Sequence, residues 1–191
     1  MIQSKKDLDE YIAADRKRQL QSGKKWKIIS KLLYYPENNI ERFLYYLRKQ
    51  EYYLNTAYGS KVRGFLGLYY ERKKNKLGQK LGIEIGPNCF GKGLRIYHSG
   101  NIVVNYAARI GDNCKLHGSN CIGNDGKTQA APRIGNNADI GFGAVIIGDI
   151  EIADHAVIGA NAVVRQSVYE EGATLVGVPA KVVKCKGENK I

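Results

Sequence analysis

The chain has 191 residues and a formal net charge of +12, with 43% hydrophobic and 25% charged residues, a balance that excludes general disorder. No apolar run reaches the ~18 residues of a membrane span, and the opening Met-Ile-Gln-Ser-Lys-Lys-Asp lacks the apolar core of a secretory signal. The four cysteines, at 89, 114, 121 and 185, form no Cys-x-x-Cys pair. Neither a disulfide framework nor a zinc ribbon is indicated, and a reducing, cytoplasmic setting is expected.

The charge is unevenly spread. Residues 1–82 hold 19 Lys and Arg against 8 Asp and Glu, together with 10 of the 13 tyrosines, whereas 16 of the 22 glycines follow residue 82. Composition therefore divides the chain into a basic helical segment, 1–82, and a second domain, 83–191. In the first, Ser4 and Asp7 read as a helix start, with Leu8, Tyr11 and Ile12 on its buried face. Trp26, Ile29 and Leu33 repeat that spacing before Pro36 halts it. Ile40, Phe43, Leu44 and Leu47 form a stripe behind Asn38 and Asn39 as caps. Val62, Phe65, Leu66 and Tyr69 predict a fourth, short helix, weakened by Gly64 and Gly67. The basic run from Glu71 to Lys80 reads as a solvated helical face and linker. No nucleic-acid motif accompanies it; its second reading is peripheral attraction to an anionic membrane surface, or attraction to a phosphate-rich substrate.

The second segment repeats every six residues. Steps of six from Val104 meet Ile110, Leu116 and Ile122, then Thr128, then Ile134, Ile140, Ile146, Ile152, Ile158 and Val164, and finally Glu170, Val176 and Val182. A period of six suits neither an amphipathic helix nor a simple strand. It suits a chain that turns a corner every six residues and points one aliphatic side chain per face into a narrow three-sided prism. Stacked coils of about 18 residues then pair as short parallel strands. Cys89 and Cys114 fall at the small-residue position, four after an isoleucine, and read as packing.

These hexads, with Gly-Val-Pro-Ala-Lys (177–181) and Leu94-Arg-Ile-Tyr-His98-Ser-Gly-Asn-Ile-Val, resemble the hexapeptide-repeat acyltransferases. The nearest subgroup is the serine acetyltransferase-like one, which includes polysaccharide O-acetyltransferases, and the resemblance covers about residues 81–184. It implies a mainly β fold, a left-handed parallel β-helix of hexapeptide repeats with an N-terminal α-helical segment. It also implies a homotrimer that binds acetyl-CoA as co-substrate between subunits, without a metal.

The chemistry has few candidates among the histidines, at 98, 117 and 155. His98 takes a hexad slot, six before Val104, where an aliphatic residue is expected, and such violations mark functional sites. It also matches the subgroup's catalytic base. Glu84 matches the acidic residue that orients that base, a position usually held by Asp. His117, about one coil further on, reads equally as a polar residue on the outer face and as a residue lining the acceptor pocket or replacing His98 as base; His155 reads as surface. By resemblance, Phe142 and Ala160 line the pantetheine cleft, and Lys181, with Lys184 and Lys186 beyond it, is placed to meet CoA phosphates. The loop from Asn124 to Pro132 interrupts the hexads and, by the same resemblance, arches over a neighbouring subunit's site.

Two departures bear on the acceptor. Gln129-Ala-Ala-Pro132 lacks the arginine and histidine that handle serine's carboxylate in the subgroup, and Tyr97 replaces an aspartate. A pocket without a carboxylate clamp disfavours an amino acid, whereas Tyr97 can stack on a sugar. The expectation is an acetyl-CoA-dependent O-acetyltransferase acting on a sugar or oligosaccharide hydroxyl in surface-polysaccharide assembly. Serine O-acetylation and amino-sugar N-acetylation are the alternatives. A zinc hydratase and a non-catalytic scaffold are the remote ones.

Overall fold

A computed structural model describes residues 1–19, 29–30, 32–33 and 35–184. Trp26 and Lys186 lie outside the described residues, as does the side chain of Lys184. Among the described residues, three helices have both ends defined: α1 (Lys5–Gln19), α2 (Pro36–Asn55) and α3 (Lys61–Leu81). Ser4 caps α1 as expected: the Asp7 amide donates to Ser4 Oγ at 3.1 Å, and the Gln3 and Ser4 amides donate to the Asp7 carboxylate at 3.0 and 2.9 Å. Residues 29, 30 and 32 are helical, with the Leu33 amide donating to the Ile29 carbonyl at 2.9 Å, and this turn ends before Pro36 as expected; Pro36 then opens α2, because the first helical position needs no N–H. Asn38 and Asn39 therefore lie inside its first turn, and Ile29 and Leu33 are exposed. The stripe Ile40, Phe43, Leu44 and Leu47 is buried as the spacing requires.

The fourth helical expectation needs correction. α3 is long, runs straight through the basic segment, and ends at Gly82, whose φ of 65° is the left-handed stop. Its inward face is Gly67, Lys74 and Gly78, while Val62, Phe65 and Tyr69 face solvent. Small residues explain the reversal. A side chain at Gly78 would lie 2.4 Å from the Ile83 carbonyl oxygen, so α3 packs backbone-first against the chain that follows it.

From Ile83 the chain winds into three sheets. The first face stacks β1 (Ile83–Ile85), β3 (Ile102–Val104), β6 (Cys121–Gly123), β9 (Val145–Ile147) and β12 (Val163–Val164). The second stacks β4 (Arg109–Ile110), β7 (Arg133–Ile134) and β10 (Glu151–Ile152). The third stacks β2 (Arg95–Ile96), β5 (Lys115–Leu116), β8 (Asp139–Ile140), β11 (Val157–Ile158) and β13 (Thr174–Gly177), with β14 (Ala180–Lys184) folded back antiparallel. All other pairings are parallel. The fold is mainly β, a left-handed parallel β-helix preceded by helices. Its axis is filled by buried columns such as Ile85, Val104, Ile122, Ile146 and Val164. Cys89 and Cys114 pack into that core as expected.

The register departs from strict hexads in four places, the first being the five-residue step from Ile85, paired with Val104, to Phe90, bridged to Ile110. Ile96 pairs with Leu116 and Val104 with Ile122, so Ile96 holds the inward slot and the chain spends two extra residues before Val104. His98 lies in that excursion and is exposed; it does not occupy a core slot. Ile134 pairs directly with Ile110, so the loop before it adds six residues, which preserves the phase and leaves Thr128 exposed outside the prism. Past Val164 the inward residues are Val168 and Leu175, while Val176 and Val182 face outward.

A buried polar hub fastens the helices to the first coil. Arg48 is fully buried and donates to Asp15 at 2.8 Å, to Glu51 at 3.0 Å, and to the carbonyls of Phe90 and Gly91 at 3.0 and 2.6 Å. Asp15 also accepts the Gly93 and Leu94 amides at 2.7 and 3.0 Å, and Glu51 accepts the Asn88 amide at 2.8 Å. Burial opposes the Arg48 charge, but Glu51 and Asp15 outweigh it and drive its pKa upward.

Candidate functional site

The third face sets the geometry. Its register pairs Ile96, Leu116, Ile140, Ile158 and Leu175 in successive coils. Two residues further along each coil come His98, Gly118, Phe142, Ala160 and Gly177, stacked along one edge of the prism. Four inter-strand steps of ~4.8 Å make this column about 19 Å tall. Contacts confirm the stacking, for a side-chain carbon at Gly118 would lie 3.1 Å from the Phe142 ring and 3.2 Å from His98 Cβ. The structure thus brings together His98, Phe142 and Ala160, three of the expected site residues, with bare glycine backbone between and beyond them. Phe142 is 49% exposed. Lys181, on β14, is paired with Val176 beside the column's far end and is exposed.

Two features hold the edge in place. The Gly100 amide donates to the Leu81 carbonyl at 2.8 Å, which ties the His98 excursion to the end of α3. Asn120 is fully buried; its side chain accepts the Gly118 amide at 3.0 Å and donates to the Gly141 carbonyl at 2.7 Å. The sequence reading missed Asn120, although a signal existed. It stands four residues after Leu116, where other coils carry Ala144 and Ala162.

Beside the column, the Tyr97 and His117 rings stack at 4.5 Å with an interplanar angle of 16°. The Arg95 guanidinium sits 4.1 Å from the centre of the Tyr97 ring. His117 Nε2 lies 2.7 Å from Asp139 Oδ1, and Lys115 donates to Asp139 Oδ2 at 2.7 Å. Burial pushes the Asp139 carboxyl up, but the hydrogen bonds from Lys115 and His117 and their charges hold it below the ordinary range. An ionised Asp139 accepts from Nε2–H, which fixes the tautomer and leaves Nδ1 as the basic nitrogen of neutral His117.

Glu84 is exposed on the first face, the face into which the His98 edge leads. It lines a cleft of roughly 400 Å³ with Lys74, Asn75, Gln79, Asn101 and Val103. Among the described residues, no hydrogen bond joins Glu84 to His98. The Lys74 ammonium, the cation that shares this cleft's lining with Glu84, donates to the Ile85 carbonyl at 2.8 Å. The loop from Asn124 to Pro132 leaves the edge between the first and second faces, where Asp125 accepts the Lys127 and Thr128 amides at 2.9 and 3.2 Å. It is therefore on a different edge from His98 of the same chain. His155 is exposed at a turn with φ of 62°. Burial pushes the Cys89 thiol up to about 11, and the Cys114 thiol higher still, which keeps both protonated. Among the described residues, no group of three or more His, Cys, Asp or Glu is placed to hold a metal ion.

The six-residue step and the three stacked faces define a hexapeptide-repeat β-helix, and residues 131–166 match the family model described as bacterial transferase hexapeptide (six repeats). The chain is similar to acyltransferases of the serine acetyltransferase type. Serine acetyltransferases of Staphylococcus aureus and Staphylococcus epidermidis are 40% identical to it over 109 residues, covering 56% of this chain and 51% of theirs. The chain thus spans about half the length of these relatives. The soybean serine acetyltransferase apoenzyme superposes with a TM-score of 0.72 at 27% identity, covering 93% of this chain and 69% of that one. The Neisseria gonorrhoeae serine acetyltransferase gives 0.70 at 27% identity, covering 95% and 68%.

Proposed function

We propose that the chain is an acetyl-CoA-dependent O-acetyltransferase whose acceptor is L-serine. The single observation that carries the acyl-transfer reading is the edge column, which aligns an exposed imidazole with a narrow apolar strip. Phe142 and Ala160, between stretches of bare glycine backbone, fit a thin pantetheine arm, and Lys181 near the far end fits its phosphates. When bound, acetyl-CoA supplies an acetyl thioester. His98 takes the proton of the acceptor hydroxyl and later returns one to the departing thiolate. Glu84 is proposed to support His98 in the assembled enzyme, a homotrimer by analogy, with the loop of residues 124–132 covering a neighbour's site. Direct transfer from the thioester to the acceptor is proposed; Cys89 and Cys114, buried and protonated, are unsuited to carry the acetyl group.

Relatives named as serine acetyltransferases move the acceptor away from the sugar that sequence alone favoured. The loop carries no carboxylate clamp, but Arg95 supplies a cation on the face beside His98. A sugar hydroxyl is the second reading, favoured by the flat Tyr97–His117 stack, which suits a pyranose face.

The test is release of CoA thiol from acetyl-CoA, with L-serine and with neutral and amino sugars as acceptors. Serine should give the highest kcat/KM, and mild alkali should cleave the product as an ester. His98→Ala should lower kcat at least about 100-fold with unchanged circular dichroism, whereas His117→Ala should chiefly raise KM for the acceptor. Turnover of His98→Ala within tenfold of the parent (about 1.4 kcal/mol) would remove His98 as base. A sugar outrunning serine would give the acceptor to the second reading.

A further inference from the structure

α3 turns toward solvent a face that the fold leaves unused. Val62, Phe65, Leu68 and Tyr69 occupy one side of its first turns, and Phe65 is 77% exposed. Arg72, Lys73, Lys76 and Lys80 occupy the same side of the later turns and are all exposed. At 3.6 residues per turn these eight fall within an arc of roughly 140°. The arc holds no acidic residue; Glu71, the sole acid of α3, falls outside it. Tyrosine and lysine alternate along its border, where Lys73 lies over the Tyr69 ring at 5.4 Å and Lys49 of α2 over Tyr70 at 6.0 Å.

We propose that this face docks the protein reversibly on a bilayer containing anionic phospholipid. Apolar and aromatic side chains of the first turns enter the boundary between headgroups and acyl chains, where tyrosine is at home. The four cations of the later turns meet lipid phosphates, an attraction that falls off within a Debye length. Among the described residues no helix is long and apolar enough to cross a membrane, so the contact is a surface one. The competing occupant is a second copy of this chain. Charge disfavours a second copy meeting the arc face to face, because the arc offers its own cations no acid to meet. The proposal stands independently of the acyl-transfer reading.

The experiment is co-sedimentation of the full chain with vesicles of phosphatidylcholine alone or of phosphatidylcholine mixed with phosphatidylglycerol. Binding to the mixed vesicles should exceed binding to the neutral ones at least about tenfold and should weaken with added salt. Phe65→Glu with Leu68→Glu, and separately Lys73→Glu with Lys76→Glu, should each lower it about tenfold or more. Both pairs are solvent-exposed, so circular dichroism and light scattering should match the parent. Equal binding to both vesicle types, or no binding, overturns the proposal. So does a fall in particle mass for Phe65→Glu with Leu68→Glu without vesicles, which would assign the face to contact between copies.

Discussion

Gly118 is where the edge column can be perturbed most cleanly. Its φ of 126° lies where L side chains are rarely found, and holding alanine there costs about 1–3 kcal/mol. The added methyl would also sit 3.1 Å from the Phe142 ring and 3.2 Å from His98 Cβ. His98 Cβ belongs to the backbone path and cannot retreat, whereas the half-exposed Phe142 ring can swing outward. The steric conflict therefore resolves at Phe142, across the strip proposed for pantetheine. Gly118→Ala should lower Tm by roughly 2–12 °C, the range that 1–3 kcal/mol gives in a chain of this size, and raise the Kd for acetyl-CoA about tenfold. Scanning calorimetry and isothermal titration read the two effects. Gly64 in α3 supplies the control: a methyl there meets nothing within 4 Å, and Gly64→Ala should stabilise by about 0.5–1 kcal/mol through helix propensity. A Gly118→Ala protein with unchanged Tm and unchanged Kd would refute the column as described. A Gly64→Ala protein that loses as much stability would show that the loss is not specific to the edge.

Two further substitutions test the surroundings. Arg48→Ala strands the buried Asp15 and Glu51 carboxylates and should cost about 3–5 kcal/mol in urea denaturation; replacing all three residues together, as Asp15→Asn, Arg48→Met and Glu51→Gln, should recover most of it, and a single-variant loss below about 1 kcal/mol would count against the hub. Asp139→Asn should cost about 1 kcal/mol at pH 7. Because the folded Asp139 carboxyl titrates below its ordinary value, its contribution is complete above about pH 4 and fades as pH falls through the lowered folded value. The gap between parent and variant should therefore close in acid, and a gap of the same size at both ends of that range would contradict the assigned bonds.

The prism was legible because its cause is periodic and local. One aliphatic residue per corner is a constraint that each hexad states afresh, and Ile110 to Val164 obey it. The first coil was misread because a two-residue excursion between Ile96 and Val104 shifts the phase without altering composition. His98 was thus selected as a violated core slot, although it stands outside the core. The reverse held at Thr128, where an insertion of six residues left the phase intact and concealed itself. Helix burial was legible where the stripe packs on the prism, at Ile40, Phe43, Leu44 and Leu47, and failed at Val62, Phe65 and Tyr69. There glycines, not apolar residues, make the close contact, and a hydrophobic pattern cannot report a backbone that packs through absent side chains. Apart from the Arg48–Glu51 pair, three residues apart on α2, the Arg48 hub joins residues 33 and more apart in sequence, which no local pattern announces.

The placement of the chemistry follows from how a β-helix spends its residues. Inward positions are committed to the aliphatic column, and the positions beside them are fixed by contact with the next coil, as Tyr97 is with His117 and His117 with Asp139. A side chain free to meet a ligand must stand where the coil turns, and it can stand away from the stack only where the turn carries extra residues. The excursion after Ile96 meets both conditions, and its fastening to Leu81 keeps the added length from loosening it. The other excursion leaves from a different edge of the same prism. A loop cannot cover an imidazole one edge away without crossing a packed face. For residues 124–132 to shield His98, the loop must therefore come from an adjacent prism, which ties the proposed activity to assembly.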